Sequence, residues 1–235
     1  ALLQSRAVKQ LSDHVLSAYF LLFAITQILS FIEMYNRENA YPFPSFINTS
    51  TPFIFLHGPF LWFYIKSLTV NDFKFRIIHL LHFLPFVLVT ALFWFTIYHL
   101  PAELRIAADA GLFRSQANYP VIVTAIALST QGYFLWGILL IRNYNRRLKD
   151  WLSQTASVDL HWLRFLLISA IVAYATISMV YAIDYRFSLF PGNLLQPTGF
   201  GIAALFVVIL GFFGLKQGNL FVSNPGITLA EETAG

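Results

Sequence analysis

The sequence predicts an all-α fold, a polytopic bundle of about six hydrophobic helices crossing one bilayer. Three observations predict it. Hydrophobic residues make up 57% of the 235 and charged residues only 11%, against about a quarter charged in a soluble domain. The mean hydropathy is +0.65, so too few charges remain to keep a surface wet. An apolar stretch of about 20 residues, the length that crosses the hydrocarbon, recurs along the chain. Strands are not predicted, because these stretches are continuous rather than alternating with period two.

The spans fall near 15–34, 52–70, 77–100, 119–141, 162–183 and 194–215. Phe, with 25 copies against 5 Trp, suits a hydrocarbon-facing surface. Turn-rich segments separate the spans. The 35–51 loop holds Asn36, Arg37, Glu38, Asn39, Pro42 and Pro44, and the 101–118 loop holds Pro101, Glu103, Arg105, Asp109, Gly111 and Arg114. Cysteine is absent, which excludes disulfide and thiol chemistry.

Charge placement predicts the orientation. One set of connections holds Arg6, Lys9, Lys66, Lys74, Arg76, Arg142, Arg146, Arg147, Lys149, Arg164 and Lys216; the other holds only Arg37, Arg105, Arg114 and Arg186. The basic set alternates with the sparse set from one span to the next, so the positive-inside rule puts both ends in the cytoplasm. The run from Arg142 to Lys149 is the strongest anchor, and it reads as contact with anionic headgroups. The net charge of +4 does not point to nucleic acid, since no basic stripe lies on a soluble element.

Interior features each carry two readings. Gly58-Pro59 in the second span and Pro85 in the third predict kinks, because proline removes a backbone donor and clashes one turn back. Such a kink marks either a hinge or cavity wall, or ordinary bundle shape. His79 and His82 lie three apart on one helical face. They fit a metal poorly in a chain with six histidines and read better as residues of the cytoplasmic interface, so no metal or cofactor is expected. Gln27 and Gln131 read as hydrogen-bonding glue between helices. Gly199, Gly201, Ala203, Ala204, Gly211, Gly214 and Gly218 permit close approach within the bundle or between two copies, a weak homodimer signal.

The outward ends are richer in polar residues. Glu33, His57, Trp94, Tyr98, His99, Tyr181, Asp184, Arg186, Asn193 and Gln196 all fall on one side by this topology. Ionisable groups at membrane depth are expensive and point to a site; the alternative is an interface belt of charges and aromatics. The candidate ligand site is Glu33, His57, Trp94, His99, Tyr181, Asp184 and Arg186. No GxSxG, P-loop, HExxH or close carboxylate pair is present, so no enzyme is expected.

A resemblance adds to this reading. His57-Gly58-Pro59-Phe60-Leu61-Trp62-Phe63-Tyr64-Ile65-Lys66-Ser67-Leu68-Thr69 is followed by Phe73-Lys74-Phe75-Arg76 and then His79-Leu80-Leu81-His82-Phe83-Leu84-Pro85-Phe86. This resembles the multi-helix membrane region of bacterial AraC-type transcriptional regulators, in which a GPLLYFYxKSL-like segment precedes an LLHFxPF-like one. Asp159-Leu160-His161-Trp162-Leu163-Arg164 is similar to the family's NLRWLR-like helix start. Gly211-Phe212-Phe213-Gly214-Leu215-Lys216-Gln217 is similar to its GYxGLRQ-like exit. The resemblance spans roughly residues 10–222.

It implies a sensory domain over 1–222, the start of a cytoplasmic linker at 223–235, and a place in the bacterial inner membrane. It further implies a seventh span before this chain and a helix-turn-helix domain after it. Ala1 stands where an initiator Met would, which fits a missing first segment. The expected function is signal input: binding a small molecule or lipid and passing the signal to that DNA-binding domain. The alternative is a small transporter or channel, whose path would continue inward through Gln27 and Gln131 to His79 or His82. A membrane metalloenzyme is the third reading.

Overall fold

The computed structural model describes residues 11–70, 73–110, 119–151, 160–187, 189 and 192–222, with side chains inside α5, α6 and α7 described only in part. Regular structure among these residues is entirely helical. Seven α-helices follow one another: α1 (Leu11–Glu38), α2 (Ser50–Thr69), α3 (Leu84–Phe93), α4 (Ala102–Ala110), α5 (Tyr119–Trp151), α6 (His161–Phe187) and α7 (Gly192–Val222).

Among the described residues, four segments are long and apolar enough to cross a membrane: Leu11–Glu38, Ile77–Tyr98, Pro120–Arg147 and His161–Asp184. The described apolar stretch of α7, Pro197–Phe213, is shorter, and α2 falls outside this set. The composition of α2 explains why: His57, Pro59, Trp62, Tyr64 and Lys66 interrupt its apolar run. Its position explains how that is tolerated. α2 packs against α1, α3 and α5, and Leu61, Trp62, Phe63, Tyr64 and Ile65 are all buried. It is the most enclosed part of the bundle, and Pro59, Trp62 and Tyr64 are buried against protein while His57 and Lys66 are partly buried.

α1 shows the inverted pattern of a membrane helix. Its buried face recurs every three to four residues through Tyr19, Leu22, Thr26, Ser30 and Glu33, while Leu21, Ile25, Ile28 and Phe31 are exposed. The polar groups point inward, where partners exist, and the aliphatic ones outward. The core joins α1, α2, α5, α6 and α7 through Leu16, Phe63, Ile65, Phe134, Ile141, Leu167, Phe206 and Leu210.

Close approach is concentrated at a few glycines. A Cβ on Gly58 would stand 2.5 Å from Tyr133 Cδ2 and 2.9 Å from its Cγ. Gly58 therefore meets a tyrosine ring on α5 in close contact. α2 continues as one helix through Pro59. Gly137 admits Ile65 and Leu167, and Gly211 admits Phe20 of α1, while Gly201 has open space around it. Gln27 donates to the Phe200 carbonyl at 3.1 Å, as glue between α1 and α7. Gln131 makes no such bond among the described residues.

The third span departs from a kinked α-helix. It begins as a 3-10 helix over Ile77–Phe83, becomes α3, and ends in a π-helical turn over Trp94–Tyr98. Pro85 lies in the first turn of α3, where its missing N–H costs no helical bond. The kink expected at Pro85 falls where the winding changes from 3-10 to α. The 101–118 loop also contains an element not expected from the sequence: α4 lies within it, directly after Pro101 and with Glu103 in its first turn. Arg6, Lys9, Arg114 and the proposed linker at 223–235 lie outside the described residues, as do the side chains of Lys149, Asn193, Gln196 and Lys216.

Candidate functional site

α1 ends beneath two short connections, and the polar side chains of all three converge. Glu33 is buried, 3% exposed, and faces the start of α2. The Ser50 N–H donates to its Oε1 at 2.6 Å and the Ser50 hydroxyl to its Oε2 at 2.7 Å. Thr49, the residue before the helix, makes no side-chain capping bond. Glu33 therefore caps α2 from another helix, satisfying an orphan first-turn N–H where the helix dipole favours an anion.

One turn further, α1 closes with a left-handed cap. The Tyr41 N–H reaches back to the Asn36 carbonyl at 2.8 Å, and Ala40 and Tyr41 both have φ 57°. Glycine usually fills such a position; here the flanking contacts hold it. The Asn36 amide donates to the Phe43 carbonyl at 2.8 Å, while its Oδ1 accepts the Phe43 N–H at 2.9 Å.

Above this turn, Arg37 grips Asp109 of α4 in a fork. Nε donates to Oδ2 at 3.0 Å and Nη2 to Oδ1 at 3.1 Å, and the Tyr41 hydroxyl donates to the same Oδ2 at 3.0 Å. Two-pronged charged pairs of this kind are the stronger and more directional hydrogen bonds. Arg105 donates to the Leu100 and Tyr98 carbonyls, and the Tyr98 hydroxyl to the Asn48 carbonyl at 2.9 Å. The result is a polar cap tying α1, α2, the third span and α4 together.

Tyr41 lies in the connection outside the spans. Burial, then the Asp109 carboxylate beside it, push its hydroxyl up from 10 to about 12. A raised pKa means the neutral form is the one the fold favours. Its contribution is complete below pH 10 and is lost as pH rises through about 12. In an ultraviolet titration, the tyrosinate signal missing from a Tyr41→Phe variant should be centred near pH 12 rather than 10. A difference centred at 10 would show that Asp109 does not hold this phenol.

The residues expected to form one outward cluster have the following surroundings. Glu33 belongs to the cap. His57 lies seven residues into α2, about 10 Å deeper, and faces α1: its Nε2 meets Thr26 Oγ1 at 3.0 Å and its ring packs on Tyr19 and Phe23. Thr26 gives its own proton to the Leu22 carbonyl, so its oxygen accepts and His57 Nε2 carries the hydrogen. Trp94 and His99 are exposed, and His99 Nδ1 bonds the Trp94 carbonyl at 2.9 Å. Asp184 is buried and engaged at the end of α6, and Tyr181 one turn earlier is half-buried. Arg186 is exposed, stacked over Phe187 at 5.7 Å.

Arg37, Tyr41, Ser50 and Asp109 were not among the candidate residues. The signal available was an arginine and an aspartate in two connections on the same predicted side. At the opposite end, His79 and His82 pack with Trp62, the His82 and Trp62 rings 4.6 Å apart, and His82 Nδ1 meets the Tyr133 hydroxyl at 2.7 Å. Lys66 Nζ lies 4.3 Å over the Trp62 ring. No group of three or more potential metal-ligating His, Cys, Asp or Glu occurs among the described residues.

No protein-family model matches this chain, and neither the curated proteins nor the solved structures contain a match to it.

Proposed function

We propose that this chain is a non-enzymatic signal-input domain embedded in a bacterial inner membrane, which couples an outward-facing stimulus to a cytoplasmic output. The carrying observation is the Arg37–Asp109–Tyr41 clamp and its place on α1. The same helix holds α7 lower down, through the bond from Gln27 to Phe200 and the contact of Phe20 with Gly211. A small polar molecule or lipid headgroup competing for Arg37 or Asp109 would free α4 from α1. The bundle then has two arrangements, and a ligand preferring one shifts the population. The motif order over residues 57–86 and 159–217 supports a transcription regulator as the parent, with DNA bound by a domain beyond this chain.

In this reading α2 and α7 are also spans, giving six, with both ends of 1–222 cytoplasmic. Reporter fusions after Tyr41, Asp109 and Asn193 are expected to read outside, and those after Asn71, Asp150 and Gly218 inside. One interchanged pair would break the topology.

The functional test compares Asp109→Asn and Asp184→Asn in the full-length protein at its own locus. Asp109→Asn keeps the shape but loses the charged fork, and transcripts dependent on the protein should change several-fold at unchanged membrane abundance. Asp184→Asn tests another buried outward carboxylate in the same way. A deletion strain with an unaltered transcript profile, or solute flux through proteoliposomes of the purified chain, would replace this reading with a transporter or channel.

A further inference from the structure

The inner end of the bundle has a cleft of its own. About 180 Å3 of open space lies between the late turns of α5 and the start of α6, lined by Arg142, Asn145, Arg146, His161 and Arg164. Arg142, Asn145 and Arg146 are spaced three and four apart and so share a face of α5, while His161 and Arg164 share one on α6. Asn145 is buried, 7% exposed. Its Oδ1 accepts the Leu160 N–H at 3.2 Å, which fixes the first turn of α6 against α5 and leaves its Nδ2 as a donor. Among the described residues no carboxylate pairs with Arg142, Arg146 or Arg164. Three guanidinium groups, an amide donor and the positive end of a helix dipole thus converge on one concavity.

We propose that this cleft binds the phosphate of an anionic phospholipid. Guanidinium forks match phosphate oxygens two at a time. The lipid, rather than free phosphate, follows from what continues the same two faces. Leu135 and Leu139 precede Arg142 on α5 by seven and three residues, and Ile168 and Val172 follow Arg164 on α6 by four and eight. All four are exposed. Together they make two apolar rails leading away from the cations, with the polar head at one end and apolar side chains to meet an acyl chain along the rest. The assignment rests on the membrane reading of α5 and α6, not on the proposed signalling role.

The test uses the purified full chain in nanodiscs of equal phosphatidylglycerol and phosphatidylcholine, with lipids retained after detergent transfer counted by native mass spectrometry. Wild type should retain phosphatidylglycerol in preference. Each of Arg142→Gln, Arg146→Gln and Arg164→Gln should lower that retention about fivefold, and the three together about a hundredfold. Lys74→Gln removes a cation from another connection and should change nothing. If the triple variant loses its helical circular dichroism, the single variants decide. Equal retention of the two lipids, or wild-type retention in Arg146→Gln and Arg164→Gln, would overturn the proposal. So would inorganic phosphate binding the lipid-free protein as tightly as a short-chain phosphatidylglycerol, which would reassign the cleft to a free anion.

Discussion

Glu33→Ala should lower the melting temperature of the detergent-solubilised protein by roughly 6–12 °C, corresponding to about 3 kcal/mol for a chain of this size. The substitution removes the acceptor of two donors that stay buried, the N–H and hydroxyl of Ser50, itself 1% exposed. An orphaned buried donor costs about 1–3 kcal/mol. Thr49 makes no side-chain cap that could take over. Glu33→Gln separates capping from charge: its carbonyl can still accept from the Ser50 N–H, and the Ser50 hydroxyl can turn to accept from the amide. The loss should then be less than half as large. Ser50→Ala should fall between wild type and Glu33→Ala, because only the hydroxyl bond goes. A Glu33→Ala protein melting within about 2 °C of wild type would show that α2 is held without this cap.

The same residues show which levels of organisation the sequence carries. The apolar stretch at 15–34 lies within α1 and that at 162–183 within α6, because continuous apolar length is a one-dimensional property. The winding of the third span is not. His79 and His82 pack against Trp62 and Phe63, and a 3-10 segment precedes α3 there; periodicity over 77–100 holds no trace of that contact. The candidate site divides along the same line. Polarity at one end of the bundle was legible, and Glu33 was among the residues it pointed to. That Asp109 would lie on a short helix and meet Arg37 depended on how two connections fold over α1. That the His57 ring turns toward Thr26 is likewise not written in its sequence neighbours.

Gly58→Ala should be the most damaging single-methyl change in the bundle. In an isolated helix it would help, since alanine is favoured over glycine by about 1 kcal/mol. Here the new Cβ meets Tyr133 at Cδ2, Cγ and Cβ, at 2.5, 2.9 and 3.0 Å. Those atoms lie at the root of the side chain, so no rotation of its tip relieves the clash, and α2 and α5 must move apart. Overpacking of this kind costs about 1–3 kcal/mol, and the upper end is expected. Two further contacts depend on the ring staying where it is: its hydroxyl bonds His82, and it stacks on Trp136. Gly137→Ala is the internal control, because the closest atom it meets is Ile65 Cδ1 at 2.6 Å, the free end of a flexible chain. It should cost less than half as much. The decisive experiment is a double-mutant cycle with Tyr133→Ala, which opens the space and removes the hydroxyl at once. Tyr133→Ala destabilises alone, but adding Gly58→Ala to it should cost nothing further or recover part of the loss. Additive losses in the cycle would mean that Gly58 is required for the backbone beside Pro59, not for the approach of α5.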